Sequence, residues 1–465
     1  MMRASAMSMR NAAAVCVAIA GALGLLAEPG FAAEPVIQFK PAKTPAGIPF
    51  HHRYDAITPF AAVNFGFRDL YAMTTPGKVG LASLGGALVM QGADGAGQTE
   101  FTERLRDHSA SASVSFGMFT TQGNVRAPAA TLAAAMDLMA ATLKGARPSD
   151  KVLARLKQQA IGAEAQTAIR AETIAQRAAL RLALGDHPLN RSLDPQRFER
   201  ITVDDLGAWR ERMLDRAKLR VVASGRIGLD EAGRLVDRAF ADLPARFEPI
   251  SFKWPDIKVS ALTVVVEHDT QQSAIVMVGL TSINSGLEAE TGTVGNAVLG
   301  GSSGRLWRAV REKLGSTYGA GSGFQAIGPG RRLIRLSAAV ANEQVKASVE
   351  ALRSTYDVWH QKGITAEELR ATTARIVNDF RSAFDEPARA NGMALGLLLA
   401  NRPLDSMLGY ESRMTKLKVE DVNAFIAGRF PAADNLLTVI VTPRGDGLGA
   451  DCTVRALEEI ERCRR

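Results

Sequence analysis

Two side chains in the run Gly304–Gly319, GRLWRAVREKLGSTYG, have the chemistry to hold a carbonyl oxygen. Arg311 carries a permanently charged planar fork of donors, and Tyr318, seven residues later, carries a phenol that donates one hydrogen bond. Leu306, Trp307, Val310 and Leu314 recur at helical spacing and give one buried face. Gly315 follows as a helix terminator, which puts Arg311 near the helix end and Tyr318 just past the turn. In that arrangement both point into one cleft. Spacing by itself favours the plainer arrangement, a surface charge and a half-buried strand aromatic.

Other chemistries find less support. The histidines are His51, His52, His108, His187, His268 and His360, and only the first two are close together. Adjacent residues on a strand face opposite ways, so His51 and His52, even with Asp55, read as surface histidines rather than a metal site. No Ser-His-Asp or Cys-His arrangement can be read from residue order. The loop Gly300-Gly301-Ser302-Ser303-Gly304 lacks the lysine of a phosphate-binding loop. Lys and Arg number 56 against 48 Asp and Glu, a net charge of +8. Spread over 465 residues and not interleaved with aromatics, that excess needs no nucleic acid. With 46% hydrophobic and 22% charged residues, the chain is neither disordered nor a multi-span membrane protein.

The elements that must position Arg311 and Tyr318 occur twice. Pro148–Arg155 and Ile364–Arg370 each open a long helical pattern, and Leu153 and Leu369 lie 216 positions apart. Thr365 and Glu368 are spaced as a capping box. Thr202–Leu206 and Val419–Val422 start helices that lead into the apolar strands Leu219–Ala223 and Leu436–Val441, and Val203 and Val419 are again 216 apart. Leu84-Gly85-Gly86 and Leu299-Gly300-Gly301 match at 215. The chain is two copies of one unit, 34–245 and 261–446, joined by a proline-punctuated linker over 246–260. Each copy opens with strand-like alternation, Ala61–Phe67 and Leu262–Leu280, before its helices. This predicts an α+β fold of two duplicated domains, each a largely antiparallel sheet covered by helices, facing each other across a cleft. Ser109–Phe119 reads as a further strand, with Val114, Phe116 and Met118 on one apolar face.

Residues 1–33 read as a secretory signal peptide: Arg3 and Arg10, an apolar run from Ala12 to Ala27, then small residues before a cleavage point after Ala32 or Ala33. The mature chain is expected in the periplasm, with no membrane segment after cleavage. Cys452 and Cys463 then lie in a tail, 447–465, that reads as a short helix. Two readings stand for them, a disulfide that clips the tail and two free thiols kept apart along a continuous helix.

The run Gly300–Leu306, with Val310-Arg311-Glu312-Lys313 and Gly315–Tyr318, resembles the C-terminal-domain signature of the insulinase/pitrilysin zinc peptidases, a family that includes the mitochondrial processing peptidases. Pro76–Ala82 and the helix after Pro148 resemble the N-terminal domain of the same family. The resemblance implies a pair of α+β domains, and it implies that Arg311 and Tyr318 contact substrate and oxyanion. It also places strand 109–119 at the sheet edge that lines the peptide cleft, with Val114, Phe116 and Met118 as substrate contacts. Peptide-cleaving members carry His-x-x-Glu-His, in which two imidazoles one turn apart grip zinc and the Glu activates water. Those positions here are Ser83, Gly86 and Ala87, none of which can take either role. Glu164 matches only the third ligand and reads as a solvated helix residue. The resemblance thus implies a non-catalytic member with no cofactor of its own. Such a chain is the heteromeric partner of a zinc-bearing subunit acting on peptide substrates. Two other readings remain, a peptide-binding scaffold with no part in hydrolysis and a hydrolase with a different metal site.

Overall fold

Each half of the chain is built on a six-stranded sheet. The computed structural model describes residues 38–464, apart from 69–77, 79, 93–96, 117–119, 146–147, 186, 192–194, 247–253, 313–314 and 316. The signal-peptide reading therefore lies outside the described residues, as does part of the expected linker, 247–253. The first sheet runs β1 (Lys40–Lys43), β2 (Pro49–Tyr54), β6 (Leu219–Gly225), β3 (Phe60–Arg68), β5 (Thr120–Pro128) and β4 (Ser111–Phe116). Only the β2–β6 pair is parallel. The second runs β12 (Cys452–Val454), β7 (Leu262–Glu267), β11 (Leu437–Thr442), β8 (Gln272–Ser282), β10 (Arg331–Ala341) and β9 (Thr317–Gly328). There β12–β7 and β7–β11 are parallel, and the rest antiparallel. The expected α+β duplication with largely antiparallel sheets is what the chain adopts.

The 216-residue repeat fixes the helices as well. Helix Asp150–Ala168 corresponds to Ala366–Ser382, and Val203–Met213 to Val419–Arg429. Thr202 with Asp205, and Thr365 with Glu368, each close a complete capping box that satisfies donors at the helix start.

The pair Ala171–Leu184 and Pro387–Leu399 shows something the repeat does not announce: each helix covers the sheet of the other half. Ala171, Ile174, Ala175, Ala178 and Ala179 pack on Val264, Val266, Val276, Val278, Val439 and Val441 of the second sheet. Their small side chains let that helix lie close. On the first sheet the Asn64 amide donates to the Ala388 carbonyl at 3.1 Å, Asn391 to that of Ala62 at 2.9 Å, and the Ser224 hydroxyl to that of Pro387 at 3.2 Å. A Cβ on Gly66 would stand 2.8 Å from Leu399 Cδ1, so glycine leaves room for that side chain of the exchanged helix. This is why β3, expected to alternate, is buried along all of Ala61–Phe67: one face meets its own core and the other meets the exchanged helix.

The tail departs from a continuous helix. Cys452 lies on β12 and Cys463 at the end of a short helical stretch, Leu457–Cys463. The turn between them brings the Cα atoms to 5.6 Å, and the two residues form a disulfide.

Candidate functional site

Helix Leu81–Val89 carries the three positions that would grip and activate a zinc-bound water. It is seated by Leu81, Leu84 and Val89 and by Gly85, whose added Cβ would stand 2.1 Å from the ring of Trp209. Ser83 is exposed, Gly86 buried and Ala87 half-buried. One turn on, Gln91 is buried, and its side-chain Oε1 accepts from Arg155 Nη2 at 2.7 Å. A hydroxyl, a hydrogen and a methyl with a guanidinium nearby do not fit a divalent cation. Among the described residues no three His, Cys, Asp or Glu side chains converge.

Glu164, expected to be a solvated helix residue, is instead held by two arginines. Arg197 Nη2 lies 2.6 Å from one carboxylate oxygen, and Arg177 Nη2 contacts the other. All three side chains are at least four-fifths buried, with 14–18% exposed. Burial by itself would raise the Glu164 carboxyl, but the two guanidiniums outweigh it and hold it below the usual range. The backbone of Arg197 also abuts the start of helix Leu81–Val89, its carbonyl 3.0 Å from where a Cβ of Gly80 would stand. The carboxylate at the third-ligand position is thus neutralised by fixed organic cations.

In the second half, the glycine loop before Arg311 is a steric necessity. A Cβ on Gly300 would meet the Ser322 amide of β9 at 2.1 Å, and one on Gly301 the Ala297 carbonyl at 2.6 Å. Arg305 then forks onto Glu368, Nε to one oxygen at 2.8 Å and Nη2 to the other at 2.6 Å, tying the loop to the capping box of Ala366–Ser382. Leu306 and Val310 are buried as expected, and Trp307 is half-buried. The single helix expected here is only one turn of α-helix, Arg305–Trp307, and widens into a π-turn over Arg308–Glu312. Arg311 sits exposed on that π-turn. Gly315, at φ +62°, ends it, with its amide on the Arg311 carbonyl at 3.0 Å.

Tyr318 falls on a second irregularity. The β9–β10 ladder pairs Gly319 with Ala339 and then Thr317 with Val340, so Tyr318 is the extra residue of a β-bulge. Its side chain, like Leu314, lies outside what is described. Residue-adding irregularities of both kinds recur where a protein aims a functional group.

Residues 200–375, spanning the end of the first unit and most of the second, match the peptidase M16 inactive domain. Over that segment the chain is similar to the M16 inactive domain. Its fold is similar to that of the peptidase M16 inactive domain from Pseudomonas fluorescens, with TM-score 0.77 and 19% identity over 88% of this chain and 98% of that one. It is likewise similar to a protease from Helicobacter pylori, with TM-score 0.77 and 16% identity over 87% and 99%. A third similar structure is the periplasmic protease PqqL from Escherichia coli, with TM-score 0.71 and 15% identity over 87% of this chain but 45% of PqqL. No curated protein sequence matches the chain.

The strand read over 109–119 is β4 over Ser111–Phe116, at the edge of the first sheet and paired only with β5 among the described strands. Val114 and Ala112 lean on the core, while Ser111, Ser113 and Ser115 face outward. The Phe116 side chain and all of Met118 lie outside the described residues. His51 and His52 are not surface histidines. His51 is half-buried, and His52 is 6% exposed with Nε2 2.9 Å from the Ile227 carbonyl. Burial lowers the pKa of both, and His52 is consumed by its structural hydrogen bond.

Proposed function

We propose that this M16-like chain is the non-catalytic subunit of a periplasmic zinc peptidase, in which it supplies Arg311, Tyr318 and an edge strand to an active site whose metal belongs to a partner chain. The observation that carries the reading is an asymmetry between the two halves. The ligand helix of the first half has Ser83, Gly86 and Ala87 where chemistry needs imidazoles and a carboxylate. In the second half, both Arg311 and Tyr318 sit on backbone irregularities, a π-turn and a β-bulge. A planar guanidinium and a phenol suit a carbonyl oxygen that gains charge as it becomes tetrahedral. The Cys452–Cys463 disulfide supports an oxidising compartment. PqqL, of which this chain spans under half, supports a working unit made of two such bodies.

The test is reconstitution with a secreted homologue that carries His-x-x-Glu-His. Cleavage of an unstructured peptide is expected only from the mixture, with the two chains co-eluting on size exclusion. Cleavage by this chain alone, or by the partner alone at the full rate, overturns the reading. A scaffold with no part in hydrolysis would co-elute without changing the rate.

A further inference from the structure

The second half carries a solvent-open pocket of about 690 Å³ between helices Leu287–Gly300, Ala366–Ser382 and Pro387–Leu399 and the short turns at Leu404–Met407 and Tyr410–Thr415. That volume lies within the roughly 300–1,000 Å³ of small-molecule sites. The repeat explains why a space exists there. Phe380 and Met393 stand 216 positions after Glu164 and Arg177, and Arg413 stands 216 after Arg197. Where the first half seats an ionic triad, the second has two apolar side chains and the remaining arginine. Arg413 is turned to Glu290 instead, Nη2 to Oε1 at 2.8 Å and Nε to Oε2 at 3.0 Å, so those two charges cancel.

The remaining charges in the wall are unequal. Asp379 has Arg375 at 3.4 Å. The guanidiniums of Arg389, exposed at the rim, and Arg402, half-buried, make no hydrogen bond or ion pair among the described residues. An apolar interior carrying two uncompensated cations calls for a ligand with an anionic head and an apolar body. The wall also argues against a peptide. All its residues except Arg402 lie in helices or helical turns whose backbone groups are largely bonded internally, and the Arg402 amide donates to the Leu397 carbonyl at 2.8 Å. An extended peptide would find few partners for its own amides there.

We infer that this cavity binds a free carboxylic acid with an aliphatic body, its carboxylate held between Arg389 and Arg402. The experiment is calorimetric titration of the full mature chain with decanoate, with decan-1-ol, and with an N-acetylated apolar hexapeptide bearing a free C-terminal carboxylate. Decanoate is expected to bind saturably at one site, and decanol roughly tenfold more weakly or worse, for want of charge-assisted hydrogen bonds. The double variant Arg389→Gln/Arg402→Gln should lose the same factor for decanoate while keeping the wild-type affinity for decanol, which certifies that the cavity is intact. Met393→Trp, which fills the space, should abolish both. Absence of saturable decanoate binding, equal affinity for decanol, or an unchanged double variant overturns the inference. Tighter binding of the hexapeptide than of decanoate also overturns it and assigns the cavity to a chain terminus.

Discussion

Helix Leu81–Val89 in the first half and helix Leu287–Gly300 in the second each receive an aromatic ring on a glycine: Trp209 against Gly85, and Phe425 against Gly292. The two rings stand 216 positions apart. Each half has one helix closed by a capping box, at Thr202 and at Thr365, and each half lends a helix to the sheet of the other. What differs is the polar interior. The first half closes the third-ligand position with Glu164, Arg177 and Arg197, while the second leaves a cavity there and places its irregular backbone at Arg311 and Tyr318. The scaffold therefore answers to packing that neither half can relax. The charged positions diverge between the halves, with a buried ionic triad in one and a pocket in the other.

The outer edges of the two sheets offer the largest expected difference. β1 is held to β2 by strand pairing and by Ala42 against the core, whereas β12 is also clipped by the disulfide. Cys452→Ser with Cys463→Ser should cost about 3 kcal/mol, the loop-closure value for a link across 11 positions. Hydrogen exchange should then rise along β12 and β7 and stay unchanged along β1 and β2. Equal exchange at both edges would show that the clip stabilises nothing local.

Next come the glycine seats. The Cβ of Gly85→Ala would enter the ring of Trp209, which is 3% exposed, and should cost about 1–3 kcal/mol in urea unfolding. Gly292→Ala meets Phe425 at 3.3 Å, where a small shift suffices and better helix propensity offsets it, so its effect should stay within about 1 kcal/mol. A reversed order would mean that the second half, not the first, has the tighter seat.

The triad gives a smaller, pH-dependent effect. Glu164 has a lowered pKa in the folded chain, so its contribution is present above the ordinary carboxylate range and is lost as the pH falls through the folded value. Glu164→Gln should cost about 2 kcal/mol near pH 7, by leaving Arg177 and Arg197 facing a neutral group, and the gap to the unmodified chain should narrow on acidification. Phe380→Leu at the corresponding place should show no such narrowing.

The sequence carries these features unevenly. The duplication is legible because helix starts and a Gly-Gly pair are local signals that recur at nearly the same interval, Leu153 with Leu369, Val203 with Val419 and Gly85-Gly86 with Gly300-Gly301. Gly315 is legible as a stop because its backbone conformation excludes most other residues. The helix exchange is not, since AETIAQRAALRLAL and PARANGMALGLLL declare an apolar face without saying which sheet it meets. Glu164 reads as solvated because its partners lie 13 and 33 residues away on other elements. The disulfide hides behind a helical pattern that breaks between β12 and Leu457. The π-turn and the bulge each add a residue without marking it in the sequence, so spacing alone leaves Arg311 and Tyr318 unremarkable.

The most direct test of the shared active site is turnover of a reconstituted pair carrying Tyr318→Phe or Arg311→Lys in this chain. The phenylalanine keeps the ring and the lysine keeps the charge, so assembly on size exclusion should be unchanged. Loss of one preorganised donor to the oxyanion should lower peptide turnover by roughly 10²–10³-fold for Tyr318→Phe, and Arg311→Lys should also be harmful because a point charge does not reproduce a planar fork. If both variants assemble and cleave at the unmodified rate, this chain takes no part in the chemistry.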